Sequence, residues 1–167
     1  VSGTLALGNL SGVVNDNSAS SNRIGGVAAG AGNLIAYNTN RGVAMVSAGD
    51  INNPILGNAI HSNSNLAIDL GANGVTLNDA GDADTGSNNY QNFPVLTLAN
   101  TDGAGTLTLS GTLNSTANSY YRIEFFANTS QDGTGYGEGR RYLGFANVAT
   151  DASGNATIST SLSATVV

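Results

Sequence analysis

The feature that most constrains the fold is a short internal repeat. The hexapeptide NLIAYN at positions 33–38 recurs 25 residues later as NAIHSN at positions 58–63. Each copy is followed by polar residues and then by a second short apolar piece, GVAM at 42–45 and AIDL at 67–70. A repeat of this length cannot bury its own apolar side, so successive copies must stack on one another. The pattern therefore predicts a solenoid in which each copy forms one rung.

The length of the apolar pieces indicates the kind of solenoid. They contain two to four residues, and each has Asn, Ser or Gly within the next three positions. Helical repeats need about ten or more periodic residues per element, which these pieces do not provide. Gly and Asn tolerate the left-handed backbone of tight corners, so the pattern favours very short parallel strands joined by polar corners. Asn at the same corner of successive rungs can share side-chain amide hydrogen bonds.

A looser copy of the pattern occupies the first 32 residues, and we assign rungs to residues 1–71. The piece GVVN at 12–15 aligns with GVAM, and NRIGG at 22–26 aligns with NPILG at 53–57. One strand of a rung that starts before the first residue is predicted at Thr4, Leu5, Ala6 and Leu7. The strings GVV, IGG, GAGNLI and IDLG resemble right-handed parallel β-helix repeats of large bacterial surface and secreted proteins. This resemblance covers about residues 1–92.

Composition limits the class of protein and its partners. Only 10% of the 167 residues are charged, Gly numbers 23, and Lys and Cys are absent, which is typical of an all-β chain. The formal charge of −6 argues against nucleic acid, since that partner binds clustered basic residues. No apolar run approaches the length of a spanning helix, which argues against membrane insertion. The Asn-, Ser- and Thr-rich composition favours an extracellular or cell-surface location.

An Asp-, Gly- and Asn-rich segment at 72–92 forms the predicted junction between two domains. Its oxygen-bearing side chains suit Ca²⁺, which prefers carboxylate and amide oxygens in Gly-rich loops. The predicted metal ligands are Asp79, Asp82, Asp84 and Asn88. The alternative is a solvated Asp/Gly turn without a bound ion.

Longer alternating strands begin after the junction and predict an antiparallel β-sandwich at 93–167. Apolar Leu107, Leu109 and Leu113 alternate with polar residues, as in a half-buried strand. The strings QNFPVL, IEFFA and GYGEG resemble the immunoglobulin-like sandwich that follows the β-helix in those bacterial proteins. Such a module usually has one or two more strands than this chain supplies. The fold class is therefore all-β, a short right-handed parallel β-helix followed by an antiparallel sandwich that is either incomplete or completed by another segment.

Catalytic chemistry is not indicated, and we expect no enzyme activity. The chain has one His and five Arg, and no acid/base pair with a shared site is apparent. His61 on a strand is interpreted as a packing or surface residue. A carbohydrate site could use Tyr136 for stacking, with Glu138 and Asp132 accepting hydroxyl hydrogen bonds, although strand aromatics usually pack.

The leading functional hypothesis is a non-catalytic extracellular structural or adhesive module. It would be a stalk segment of a longer surface protein or a subunit that assembles end to end by strand exchange into filaments. The strand at Thr4–Leu7 is the expected donor in that assembly. The alternatives are a carbohydrate-binding module that takes polysaccharide, and a fragment of a polysaccharide-degrading β-helix enzyme.

Overall fold

A computed structural model of the chain describes residues 8–163 and is all-β. These residues divide into two compact units. The first unit contains 8–76, 85–90 and 128–142, and the second contains 77–84, 91–127 and 143–163. Segment 128–142 therefore belongs to the first unit, although it lies inside the range predicted for the sandwich.

The first unit is built from seven very short strands that pair in parallel. The sheets have the strand orders β1-β4-β7, β2-β5 and β3-β6. Each pairing joins residues that the sequence repeat aligns, such as Val13 with Val43 and Leu34 with Ala59. The strands are β1 (Val13–Asn15), β2 (Ile24–Gly25), β3 (Leu34–Ala36), β4 (Val43–Met45), β5 (Ile55–Leu56), β6 (Ala59–His61) and β7 (Ile68–Leu70).

Apolar side chains from all three sheets form the core of this unit. Met45 and Val43 are completely buried. The other buried members of the cluster are Ile24, Ile35, Ile60 and Ala67. Burial of these side chains removes apolar surface from water and supplies the main force that stacks the repeats.

Asn side chains connect successive repeats at the corners, as the repeat predicts. The backbone N–H and the side-chain amide of Asn33 both donate to Asn58 Oδ1, at 2.9 Å each. The same pair of bonds runs from Asn38 to Asn63 Oδ1, at 3.1 and 2.8 Å. Asn58 in turn donates its amide to the carbonyl of Ile24 at 2.8 Å. Each such bond pairs a polar group that would be costly to bury alone.

The corners also require left-handed backbone. Tyr37 and Ser62 follow aligned strands and have φ values of 62° and 56°. Gly25 has φ 81°, and a Cβ there would lie 2.2 Å from the carbonyl oxygen of Leu56. A left-handed non-Gly residue costs about 1 kcal/mol or more, so the hydrogen bonds at the corners must offset this strain.

Two further segments of the first unit form hydrogen bonds with its repeats. Ile60 on β6 exchanges two backbone hydrogen bonds with Gly139, both 2.8 Å long. A 3₁₀ segment, Ser87–Tyr90, places the Ser87 hydroxyl 3.0 Å from the carbonyls of Met45 and Ser47. The contact with Gly139 satisfies the backbone N–H and C=O at the edge of β6 that would otherwise be exposed.

The second unit contains longer antiparallel strands. Its strands are β8 (Val95–Thr101), β9 (Thr106–Asn114), β10 (Tyr120–Ala127), β11 (Arg141–Ala149), of which the first two residues are assigned to the first unit, and β12 (Asn155–Ser163). Three form a sheet in the order β12-β9-β8, and β10 pairs with β11. The predicted alternation on β9 is confirmed, because Leu107, Leu109 and Leu113 are buried between exposed or half-buried polar residues. The remaining buried members of this core are Ile123, Phe125, Ala156 and Ile158.

Strand β8 differs from the other strands of its sheet because every one of its seven residues is exposed. Leu96 pairs with Gly111, on the same face of the sheet as the buried Leu109 and Leu113, yet it is 48% exposed. Gly111 allows this close approach, since a Cβ there would lie 2.4 Å from the carbonyl oxygen of Val95. The inner face of β8 is thus much less covered than that of its neighbour β9.

Candidate functional site

Three of the four predicted metal ligands come together in the second unit. Asp79, Asp82 and Asp84 are each half-buried and offer carboxylate oxygens that lie within 4.8 Å of one another. Asn92 holds the loop in this shape. Its amide donates to the Asp79 carbonyl at 2.7 Å, and its backbone N–H donates to Asp82 Oδ1 at 2.8 Å.

The three carboxylates differ in how their oxygens are used. Both oxygens of Asp79 accept the backbone N–H of Ala83, at 3.2 and 3.0 Å. Asp82 Oδ2 accepts hydrogen bonds from the Ser115 hydroxyl and from the Gln91 amide. Asp84 Oδ1 is buried and has no hydrogen-bond partner among the described residues. The cluster therefore contains one oxygen that is shielded from water and unpaired.

Electrostatics single out the same carboxylate. Burial raises the pKa of Asp84, and the neighbouring Asp79 and Asp82 raise it further. Three carboxylates held this close repel one another when all are ionised, and a bound cation would remove that repulsion. Hard oxygen ligands of this kind suit Ca²⁺ better than a transition metal.

The fourth predicted ligand, Asn88, lies in the first unit, where its side chain bonds to the backbone of Asn53. Asn88 Oδ1 accepts the backbone N–H of Asn53 at 3.0 Å, and its amide donates to the Asn53 carbonyl at 2.8 Å. Asn53 makes the equivalent contact with Asn22, whose backbone N–H donates to Asn53 Oδ1 at 2.8 Å. Asn88 thus continues a column of structural Asn residues, and its part in metal binding stays a prediction.

The residues of the predicted sugar site lie in segment 128–142 of the first unit. Asp132 accepts hydrogen bonds from the hydroxyl and the backbone N–H of Thr134, and these bonds lower its pKa. Glu138 Oε1 accepts the backbone N–H of Asn63 at 2.9 Å. Tyr136 is 37% exposed. A shared sugar-binding surface built from these three residues stays a prediction.

The predicted donor strand, Thr4, Leu5, Ala6 and Leu7, lies outside the described residues. The chain immediately after it pairs with the next repeat. Thr39 donates its backbone N–H to the carbonyl of Asn9 at 2.8 Å, and Asn9 donates to Asn38 Oδ1 at 3.2 Å.

Two ionisable side chains of the first unit, Arg41 and His61, have partners within that unit. Arg41 forms an ion pair with Asp69, which is only 2% exposed, and also donates to the carbonyl of Ala72. His61 is 8% exposed, and its Nδ1 lies 3.0 Å from the Ser62 hydroxyl. Arg41 and Asp69 lie 28 positions apart and do not occupy aligned positions of the repeat, so the repeat does not predict their contact.

Comparisons with known proteins do not identify a family. No protein-family model matches the chain, and no curated protein sequence matches it either. No helix within residues 8–163 has the length and apolarity needed to cross a membrane.

Proposed function

We propose that this protein is a non-catalytic structural or adhesive module of the cell surface or extracellular space. In this proposal the first unit is a short right-handed parallel β-helix, and the second is an immunoglobulin-like sandwich. The observation that carries the proposal is the use of polar side chains in the first unit. Aligned Asn side chains form hydrogen bonds between successive repeats. Their polar atoms therefore serve to make the stack rigid.

The ionisable groups of the first unit support a structural role as well. Arg41 and Asp69 neutralise each other, and the imidazole of His61 is buried against its own strand. A general acid or base must reach a substrate proton directly or through one water. Groups that are buried and already paired are poorly placed for that task, which favours a scaffold over an enzyme.

Strand β8 supports assembly by strand addition. It is uncharged along its whole length, and Val95, Leu96 and Leu98 are each about half exposed. An exposed apolar edge strand without charged guards is a template for pairing with another chain. The partners in this proposal are other copies of the protein, which would form open-ended filaments, or the rest of a longer surface protein.

We further propose that Ca²⁺ binds the cluster of Asp79, Asp82 and Asp84. The unpaired, buried oxygen of Asp84 and the mutual repulsion of the three carboxylates support this proposal. A cation there would brace the loop at 77–84, since Asn92 connects that loop to strand β9 through the Asn114 carbonyl at 2.9 Å.

Sedimentation velocity over a wide concentration range tests the assembly. We expect species that grow with concentration and appear as filaments in electron micrographs. Leu98→Lys places a charge on β8 and should suppress growth, because an edge lysine must be desolvated when another strand pairs. Tyr120→Lys is the matched control, since Tyr120 is 89% exposed at the start of β10. A single monomeric species at every concentration would refute self-assembly.

A carbohydrate-binding module is the alternative, favoured only by the partly exposed ring of Tyr136 in a Gly-rich segment. Retention on a polysaccharide column that Tyr136→Ala abolishes would support it. An enzyme fragment would instead release reducing ends or unsaturated uronides from such a polymer.

A further inference from the structure

Residues 138–140, named here the capping segment, cover the free edge of strand β6. Gly139 exchanges two 2.8 Å backbone hydrogen bonds with Ile60, and Glu138 accepts the Asn63 N–H at 2.9 Å. Asn128 closes the base of the segment by donating to the Glu138 carbonyl and accepting the Arg140 N–H. The cap rests on few hydrogen bonds and contributes little apolar surface, so its opening is a low-energy event compared with global unfolding.

His61 is the titratable residue at this contact. It follows Ile60 on β6 and is 8% exposed. From β3, Tyr37 meets its ring edge-on at 6.2 Å between centroids, and from the capping segment the charges of Glu138 and Arg140 act on it. Burial lowers the pKa of His61 below its ordinary value of 6.5, Arg140 lowers it further, and Glu138 opposes them.

We propose that the capping segment is released by acid through protonation of His61, which uncovers the β6 edge. A protonated imidazole is disfavoured in the closed form, because it is shielded from water and faces the like charge of Arg140. Opening removes the charge of Arg140 and uncovers the strand edge at Ile60 and Asn63, on either side of His61, so that water reaches this part of β6. The closed form is therefore fully favoured above pH 6.5. It loses stability as the pH falls from 6.5 toward the lowered pKa that His61 has in the closed form.

Amide hydrogen exchange at pH 7.5 and 5.0, corrected for intrinsic rates, tests this device. Protection of the Ile60 and Gly139 amides should fall at pH 5.0 by up to about 30-fold. This is the limit for a histidine that has its ordinary pKa of 6.5 in the open form and stays neutral in the closed form. The Ala59 and Tyr37 amides, which donate to Asn33 and Ser62 carbonyls, are internal controls and should keep their protection. Equal protection of Ile60 at both pH values would overturn the proposal.

Two variants locate the effect. His61→Gln cannot titrate, so its Ile60 protection should not depend on pH beyond the intrinsic correction. Arg140→Gln removes only an exposed charge, so it should raise the NMR-measured pKa of His61 and reduce the loss of protection at pH 5.0. An undiminished loss in both variants, or in Arg140→Gln alone if the His61 variant fails to fold, would refute the role of His61.

The uncovered edge would offer the N–H and C=O of Ile60 to a strand of another copy, a consequence that rests on the proposed function. Sedimentation at pH 5.0 separates the two ideas. Larger species that accompany the loss of protection would support both, whereas loss of protection with an unchanged monomer would refute only the assembly at β6.

Discussion

The two units of this protein are stabilised in different ways. In the first, strands of two or three residues are too short for a long ladder, and side-chain amides of aligned Asn residues connect the repeats. In the second, strands of seven to nine residues form backbone ladders over an apolar core. The contrast shows that shortening a strand transfers part of the hydrogen bonding from the backbone to the side chains. Removal of a buried polar side chain should therefore lower stability more in the first unit than in the second.

The largest expected effect comes from the apolar core of the second unit. Ile158 on β12 is completely buried, and Ile158→Ala should lower the free energy of unfolding by about 2–5 kcal/mol through lost burial and a cavity. Denaturant unfolding measures the change. Thr157→Ala, at the exposed position before it on the same strand, is the control and should change little. A cost below that of the control would contradict the assignment of this core.

The first unit should instead be sensitive to a buried amide. Asn53 is 1% exposed, accepts the Asn22 N–H and donates to the Ala19 carbonyl. Asn53→Ala should cost about 1–3 kcal/mol for each buried group left unpaired. The exposed pair of Asn40 and Asn65 provides the control, and Asn65→Ala should have almost no effect. Equal effects of the two substitutions in thermal or denaturant unfolding would remove the contrast between the units.

The smallest effect concerns the carboxylate cluster, and its sign depends on Ca²⁺. Ca²⁺ at 100 times its Kd should stabilise the folded state by about 2.7 kcal/mol. The melting temperature should therefore rise. Without metal, Asp84→Asn should raise the melting temperature slightly at pH 7, because it removes a half-buried charge next to two others. The same substitution should abolish the response to Ca²⁺, which calorimetric titration measures. An unchanged melting temperature with Ca²⁺ in the wild type would favour the solvated turn.

The pH dependence of this cluster follows from the raised pKa of Asp84. A carboxyl group whose folded pKa lies above its ordinary 3.8 holds its proton better in the folded state. The metal-free protein should therefore lose stability as the pH rises from 3.8 through the folded value. Ca²⁺ should cancel this loss, and Asp84→Asn should remove it.

Local patterns predicted the strands and their partners well. The alignment of 33–38 with 58–63 is also the pairing of Leu34 with Ala59, because a repeat folds the same way each time it occurs. Alternation on β9 predicted its buried leucines for the same local reason. The carboxylate cluster could be predicted because its three members lie within six positions, so a single loop brings them together.

Contacts between distant segments could not be predicted in this way. Asn88 lies only four positions from Asp84, yet it joins the Asn column of Asn53. Nothing in the sequence near Gly139 indicates that this residue pairs with Ile60, which lies 79 positions earlier (139 − 60). Parallel pairing of repeats can be predicted because the aligned residues recur at a fixed spacing. The pairing of a single loop residue leaves no periodic signal in the sequence.

By itself, the sequence determined the all-β class, the alignment of the parallel strands and the alternation of the antiparallel ones, because these depend on which side chains recur at fixed spacing. Only the tertiary structure decided which polar groups are buried, which carboxylate oxygen is unpaired, and which strand edges are covered. Those properties depend on where the backbone of another segment lies, and the free energies of a few hydrogen bonds between distant residues select that arrangement.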